Sequence, residues 1–109
     1  MDVASEPNTE TGGFTVGRNR WLAISGSWPF GSLEIHQDRL VLGTVFRRFI
    51  FPRDAIVALS KIRLFFFPCL RIEHAIPEYP RFVVFGSFHF SRVQQRLKTA
   101  GFSVDERDV

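Results

Sequence analysis

Cysteine is nearly absent from this sequence. Cys69 is the only one in 109 residues, so no disulfide can form within the chain. That excludes a small fold held together by internal cross-links. No signal-peptide pattern follows Met1, and the expected compartment is the cytoplasm. Long apolar runs are missing as well. The longest, residues 64–70, is 7 residues and contains Pro68, whereas a membrane-spanning helix needs about 20. No lipid anchor is expected either, because Met1-Asp2 is not a myristoylation start and the last residues hold no prenylation cysteine.

Catalytic groupings are also lacking. The histidines are His36, His74 and His89, and no two stand three or four residues apart. No local metal-ligand spacing exists, and Cys69 stands apart from any of them. Cys69 follows Pro68 beside Leu70, a setting that reads as packing rather than as a nucleophile with its base. The acids Glu34, Asp38, Asp54, Glu73 and Glu78 are scattered along the chain. There is no glycine-rich phosphate loop and no nucleophile elbow. The expectation is a protein that is not an enzyme, with no catalytic residues, no metal and no cofactor.

What the chain does have is phenylalanine and arginine. Thirteen of its residues are Phe, and an aromatic-rich chain of short strands leans towards β structure. Net charge is +3, unevenly spread. Residues 1–13 carry −3 and residues 105–109 carry −2, while residues 14–104 hold 13 bases against 5 acids. A basic body between acidic ends points towards an anionic partner.

The length is that of one domain. Residues 1–13 lack hydrophobic periodicity, and the expectation is a disordered segment. Residues 20–24 alternate as a first strand. Residues 26–31 read as a bend, with Pro29 ending the strand because it has no N–H for a ladder. Leu33 and Ile35 alternate with Glu34 and His36. The two-residue turn Gln37-Asp38 and the answering Leu40 and Leu42 predict a hairpin. Phe49 and Phe51 read as inward, Arg48 as outward, and Pro52 as the end of that strand. Ile56 and Leu59, three apart, predict a bulge in the next one. Phe65, Phe66 and Phe67 read as an apolar loop before Pro68. Leu70, Ile72 and His74 then alternate with Arg71 and Glu73. His74 thus falls on the core side, as a hydrogen-bonded core histidine.

Residues 81–86 are the last strand and lead into the one convincing helix. Phe90, Val93, Leu97 and Ala100 share a face there. Gly101 stands where a left-handed cap belongs, with Phe102 placed to fold back on Leu97. The sum is mainly β. About seven antiparallel strands are expected to curl into a barrel or split into a sandwich, capped by one C-terminal α-helix. The expected division is residues 1–13 disordered, 14–104 the β domain with its helix, and 105–109 an acidic tail.

Four pieces of the chain carry a family resemblance. They are Trp28-Pro29-Phe30-Gly31-Ser32-Leu33-Glu34-Ile35, Phe49-Ile50-Phe51-Pro52-Arg53-Asp54-Ala55-Ile56, Leu70-Arg71-Ile72-Glu73-His74 and Tyr79-Pro80-Arg81-Phe82-Val83-Val84-Phe85. With the helix and its exit at Leu97, Gly101 and Phe102, they resemble the bacterial pleckstrin-homology-like domains over residues 20–104. The resemblance implies that fold, the PH-like barrel or sandwich. It says little of function, since the fold hosts lipid binders, peptide binders and self-assembling modules. Pleckstrin-homology domains that bind inositol phosphates use a Lys/Arg motif between their first two strands. The nearest turn here, Gln37-Asp38, offers one acid and only Arg39, so that site is not carried over.

Two kinds of partner follow. Protein interaction or self-association would use an exposed strand edge or Phe65, Phe66 and Phe67. An anionic membrane surface or another polyanion would use Arg47, Arg48, Arg63, Arg71 and Arg81, which strand pairing brings near one another if they share a face. Nucleic acid ranks below both, because no base-stacking pattern of aromatics is visible. Location is expected to be cytoplasmic, with membrane association under the second reading.

Overall fold

The computed structural model describes residues 8–19, 22–64 and 67–105. Among them the strands are β1 (Thr9–Gly17), β2 (Ala23–Ile35), β3 (Arg39–Gly43), β4 (Arg48–Pro52), β5 (Ile56–Leu64), β6 (Phe67–His74) and β7 (Phe82–Gly86). The helix α1 (Phe90–Thr99) and a short β8 (Val104–Asp105) complete the chain. The strands form one sheet of eight in the order β4-β3-β2-β1-β7-β6-β5-β8. All neighbours are antiparallel except β5 and β8, which run parallel. The expected barrel or pair of packed sheets is therefore one open mixed sheet, mainly β, with one C-terminal helix.

The sheet bends strongly enough for β4 to approach β6. The Phe51 ring on β4 lies 5.0 Å from His74 on β6, although four strands separate them in the ladder. Tyr79, between β6 and β7, spans the remaining gap. Its hydroxyl accepts the N–H of Ile50 at 3.1 Å and its ring meets Phe49 edge-on at 5.1 Å. The concave face so formed holds the main core. Phe14, Leu33, Leu42, Phe49, Leu70, Ile72 and Phe85 lie there beneath Phe90, Val93 and Leu97 of α1.

Four expectations change. Residues 9–13 are not disordered: they form the first half of β1, in the middle of the sheet. Residues 1–7 lie outside the described residues. The inward face of this strand reads Glu10, Gly12, Phe14, Val16, each buried. A charge and a glycine occupy its first two places, so no apolar period shows. A Cβ at Gly12 would overlap the Gly86 carbonyl, which is why the strand needs glycine there.

Next, Pro29 does not end a strand. β2 runs for 13 residues, and its register with β1 jumps from Gly12↔Gly31 to Phe14↔Gly26. Ser27, Trp28, Pro29 and Phe30 arch out at that jump, where no ladder N–H is required of Pro29. Of the expected first strand, Arg20 and Trp21 lie outside the described residues, and Ala23 and Ile24 begin β2. Finally, Asp105 belongs to β8 rather than to a tail. Phe65 and Phe66 lie outside the described residues, whereas Phe67 is the first residue of β6 and not part of a loop.

Elsewhere much of the local reading holds, although the strand expected to run from Asp54 to Ser60 is β5, which begins only at Ile56 after a 3-10 turn at Arg53–Ala55. Gln37-Asp38 is the turn of the β2–β3 hairpin, with Ile35 opposite Leu40. The register shifts between Ile56 and Ala58, the bulge that the three-residue spacing predicts. The helix ends as a Schellman stop. Phe102 N–H donates to Leu97 O at 2.9 Å, Gly101 N–H donates to Lys98 O at 3.0 Å, and Gly101 has φ 93°.

Arg53 adds to this stop in a way no local pattern shows. Its Nη atoms donate to Ala100 O and Gly101 O, its Nε donates to Gln37 O, and its guanidinium lies 4.0 Å from the centre of the Phe102 ring. Arg53→Ala is expected to cost about 1–2 kcal/mol, because the carbonyls it serves remain open to water. Urea unfolding checks this, and an unchanged midpoint would mean that solvent serves those carbonyls equally well.

Candidate functional site

The sheet face turned away from α1 carries a second, smaller apolar cluster of Ile62, Cys69, Phe82 and Val84, with Ala23 and Leu64 packed against it. Strand alternation puts it there, since Leu59, Leu70, Ile72, Val83 and Phe85 on the same strands belong to the main core. Two concavities open on this outer face.

The first is a cleft of about 900 Å³ between the β1–β2 turn, β5, β6 and the β6–β7 connection. Arg18, Arg71, Glu73, Tyr79, Arg81 and Phe82 are among the residues that line it. Three bases face one acid. Arg71 stacks its guanidinium 5.3 Å from the centre of the Phe82 ring. Its Nε is buried and finds no hydrogen-bond partner among the described residues.

The second is an apolar groove of about 300 Å³. Trp28 from the arch of β2 stands on one side, and Leu64, Phe67 and Phe88 on the other, with Cys69 and Val84 also lining it. Phe67 and Phe88 meet edge-on at 6.3 Å, yet Phe88 remains 69% exposed. Ile24, Trp28 and Phe30 are exposed along β2, as is Leu22 just before it. β3 pairs with β2 only at residues 32–35, so the outer edge of residues 23–30 has no strand beside it among the described residues. No charged residue occurs from Leu22 to Leu33. Edge strands are ordinarily protected by charge, and this one relies on Pro29 and the arch.

The five arginines singled out from the sequence do not form one patch. Arg71 and Arg81 share the cleft. Arg47 stacks on Phe49 and Tyr79 at 4.7 and 5.3 Å, across the gap in the sheet. Arg48 is held by Glu34 at 2.8 Å, and Glu34 also meets His36 at 3.1 Å. Arg63 is exposed on β5 and does not line the cleft. Arg18 was missed. It follows β1 at the turn, and a reader who leaves residues 9–13 unpaired has no turn in which to place it. Of the three phenylalanines, Phe67 stands at the groove.

His74 sits on the core side. Its Nδ1 accepts the N–H of Ile76 at 3.0 Å, so Nε2 carries the proton and donates to Pro80 O at 2.8 Å. The ring thereby latches the β6–β7 connection that walls the cleft. His36 is not the strand residue its alternation suggests: it follows the end of β2 at the hairpin turn and pairs with Glu34, and the His89 carbonyl accepts the first helical N–H groups. Among the described residues no three His, Cys, Asp or Glu side chains gather as metal ligands would. No helix there is long and apolar enough to cross a membrane.

Burial pushes the Cys69 thiol up from its ordinary value, and a backbone hydrogen bond at Leu64 offsets part of that rise. The protonated thiol is thus the form present at neutral pH. Iodoacetamide at pH 7 is expected to label Cys69 slowly in the folded protein and fast in denaturant. Equal rates would show that the groove admits a reactive thiolate. No protein-family model matches this chain, and no curated protein sequence matches it either.

Proposed function

We propose that this chain is a non-catalytic protein-interaction module with a pleckstrin-homology-like fold, docking an extended segment of another protein. Two antiparallel runs, β1 to β4 and β5 to β7, joined through β1 and β7 beneath a C-terminal helix, support the fold assignment. So does the placement of the resembling pieces. Residues 28–35 lie in β2, 49–52 in β4, 70–74 in β6 and 82–85 in β7.

The observation that carries the function is the uncharged outer edge of β2 beside the groove rimmed by Trp28, Phe67 and Phe88. A large apolar surface left open on a small domain marks a docking site, and an open edge offers backbone hydrogen bonds to an incoming strand. A second reading, a peripheral binder of anionic lipid or another polyanion, draws on Arg18, Arg71 and Arg81 in one cleft. Salt separates the two, because polyanion binding weakens steeply with ionic strength and apolar docking does not.

Selection from a displayed peptide library tests the proposal. Selected peptides are expected to bind the folded domain, and Phe88→Ser is expected to weaken them by about tenfold or more. Light scattering on the same samples shows whether a second copy competes for the surface. Failure to select any peptide, together with salt-sensitive sedimentation on anionic vesicles, would favour the second reading.

A further inference from the structure

The cleft and the groove are not independent. Ile62 and Phe82 line the cleft, Cys69 and Val84 line the groove, and all four belong to one apolar cluster. The ladder ties them together. Ile62 lies opposite Cys69 on β5 and β6, and Arg71 of the cleft lies opposite Val84 of the groove on β6 and β7. Cross-strand partners stand about 5 Å apart, so the two concavities adjoin across these four buried side chains. Together they make one stretch of the outer face with a basic end and an aromatic end, a trough interrupted only by that cluster.

We infer that this trough takes a segment of a partner protein that carries carboxylates at one end and an aromatic residue at the other. The inference rests on the protein-interaction reading and adds the chemistry of the partner. Three observations lead to it. Arg71, Arg81 and Arg18 outnumber Glu73 at the basic end. The buried Nε of Arg71 lacks an acceptor among the described residues. A carboxylate supplies one in the side-on, two-bonded geometry that guanidinium groups favour. At the other end Trp28, Phe67 and Phe88 leave a groove open between aromatic faces.

Spacing completes the description of the partner. Arg71 and Phe67 are four residues apart on β6, which is about 13 Å at the rise of a strand. An extended partner has the same rise, so its carboxylate and its aromatic residue stand about four positions apart. That even spacing turns both side chains to one face. A lipid fits less well. A membrane stacks its charged layer above its apolar layer, whereas this trough sets charge and aromatic rings side by side along one strand.

Three synthetic peptides of one length test the inference by fluorescence polarisation. The first carries paired aspartates and a phenylalanine about four positions on. The second has asparagines for the aspartates, and the third has serine for the phenylalanine. The first is expected to bind at least about tenfold more tightly than either control. Arg71→Met should reduce it to the level of the asparagine peptide and remove most of its salt dependence. Arg81→Gln, at an exposed position, should act in the same direction if Arg71→Met disturbs folding. Phe88→Ser should reduce it to the level of the serine peptide with salt dependence kept.

Equal binding of the first two peptides would overturn the inference while leaving apolar docking intact. Binding of none of the three would overturn it too, with the library selection still deciding the broader reading. Uptake by phosphatidylglycerol vesicles through Arg71 and Phe88, without peptide binding, would assign the trough to lipid instead.

Discussion

A chain that begins at Phe14 is expected not to fold. The deletion removes Thr9 to Gly13, the first half of β1, and β1 is the strand through which the two halves of the sheet are joined. Residues 9–12 pair with Gly31 to Glu34, and Gly13 pairs with Gly86. Without them one side of β2 loses its ladder, and the buried Leu33 and Phe85 lose cover. Unpaired backbone groups left in a core are costly, at about 1–3 kcal/mol each. Several together exceed the roughly 5–15 kcal/mol by which a domain is stable. Circular dichroism against temperature is the measurement. A cooperative transition close to that of the full chain would show that the first half of β1 is dispensable. Composition alone favours that outcome, because residues 1–13 show no hydrophobic period.

The second large effect comes from the clamp between β1 and α1, and it is unequal on its two sides. Glu10 is buried at 2% exposure. It accepts from Arg92 at 3.0–3.2 Å and meets Arg96 Nε at 2.8 Å. The arginines reach water, with side-chain exposures of 55% and 32%. Removing the carboxylate leaves two cations that can rehydrate, so Glu10→Ala is expected to cost about 2–3 kcal/mol. Removing both arginines strands a carboxylate in the interior. Arg92→Ala with Arg96→Ala is therefore expected to cost about 3–5 kcal/mol, the larger loss. The triple variant should be more stable than the double one, because it no longer buries an unpaired charge. Urea unfolding of all three decides it, and equal losses on the two sides would mean that Glu10 is as well hydrated as its partners.

The clamp also gives the acidic N-terminal stretch a definite task. From charge alone, acids before a basic body would answer the arginines of the strands. Glu10 instead holds Arg92 and Arg96 on the helix. Arg48 is answered by Glu34 from a neighbouring part of the sheet. At the cleft, Arg71 Nε is buried and has no acceptor among the described residues, and a carboxylate of a partner is proposed beside this guanidinium.

The sequence by itself determined those features whose causes lie within a few residues. The apolar face of α1, its stop at Gly101, the Gln37-Asp38 hairpin and the bulge after Ile56 all follow from side-chain spacing and backbone preference. Half-buried strands alternate visibly, and so the inward turn of Phe49 and Phe51 was legible too. Tertiary structure decided the rest. β1 was hidden because its inward face begins with Glu10 and Gly12, residues whose fitness depends on Arg92, Arg96 and Gly86 far along the chain. The arch of β2 was hidden because a proline is tolerated wherever no ladder bond is needed, and only the pairing partner shows where that is. The cleft was hidden for a similar reason. Arg18, Arg71 and Arg81 are far apart in sequence, and they meet because β1, β6 and β7 are neighbours in one sheet.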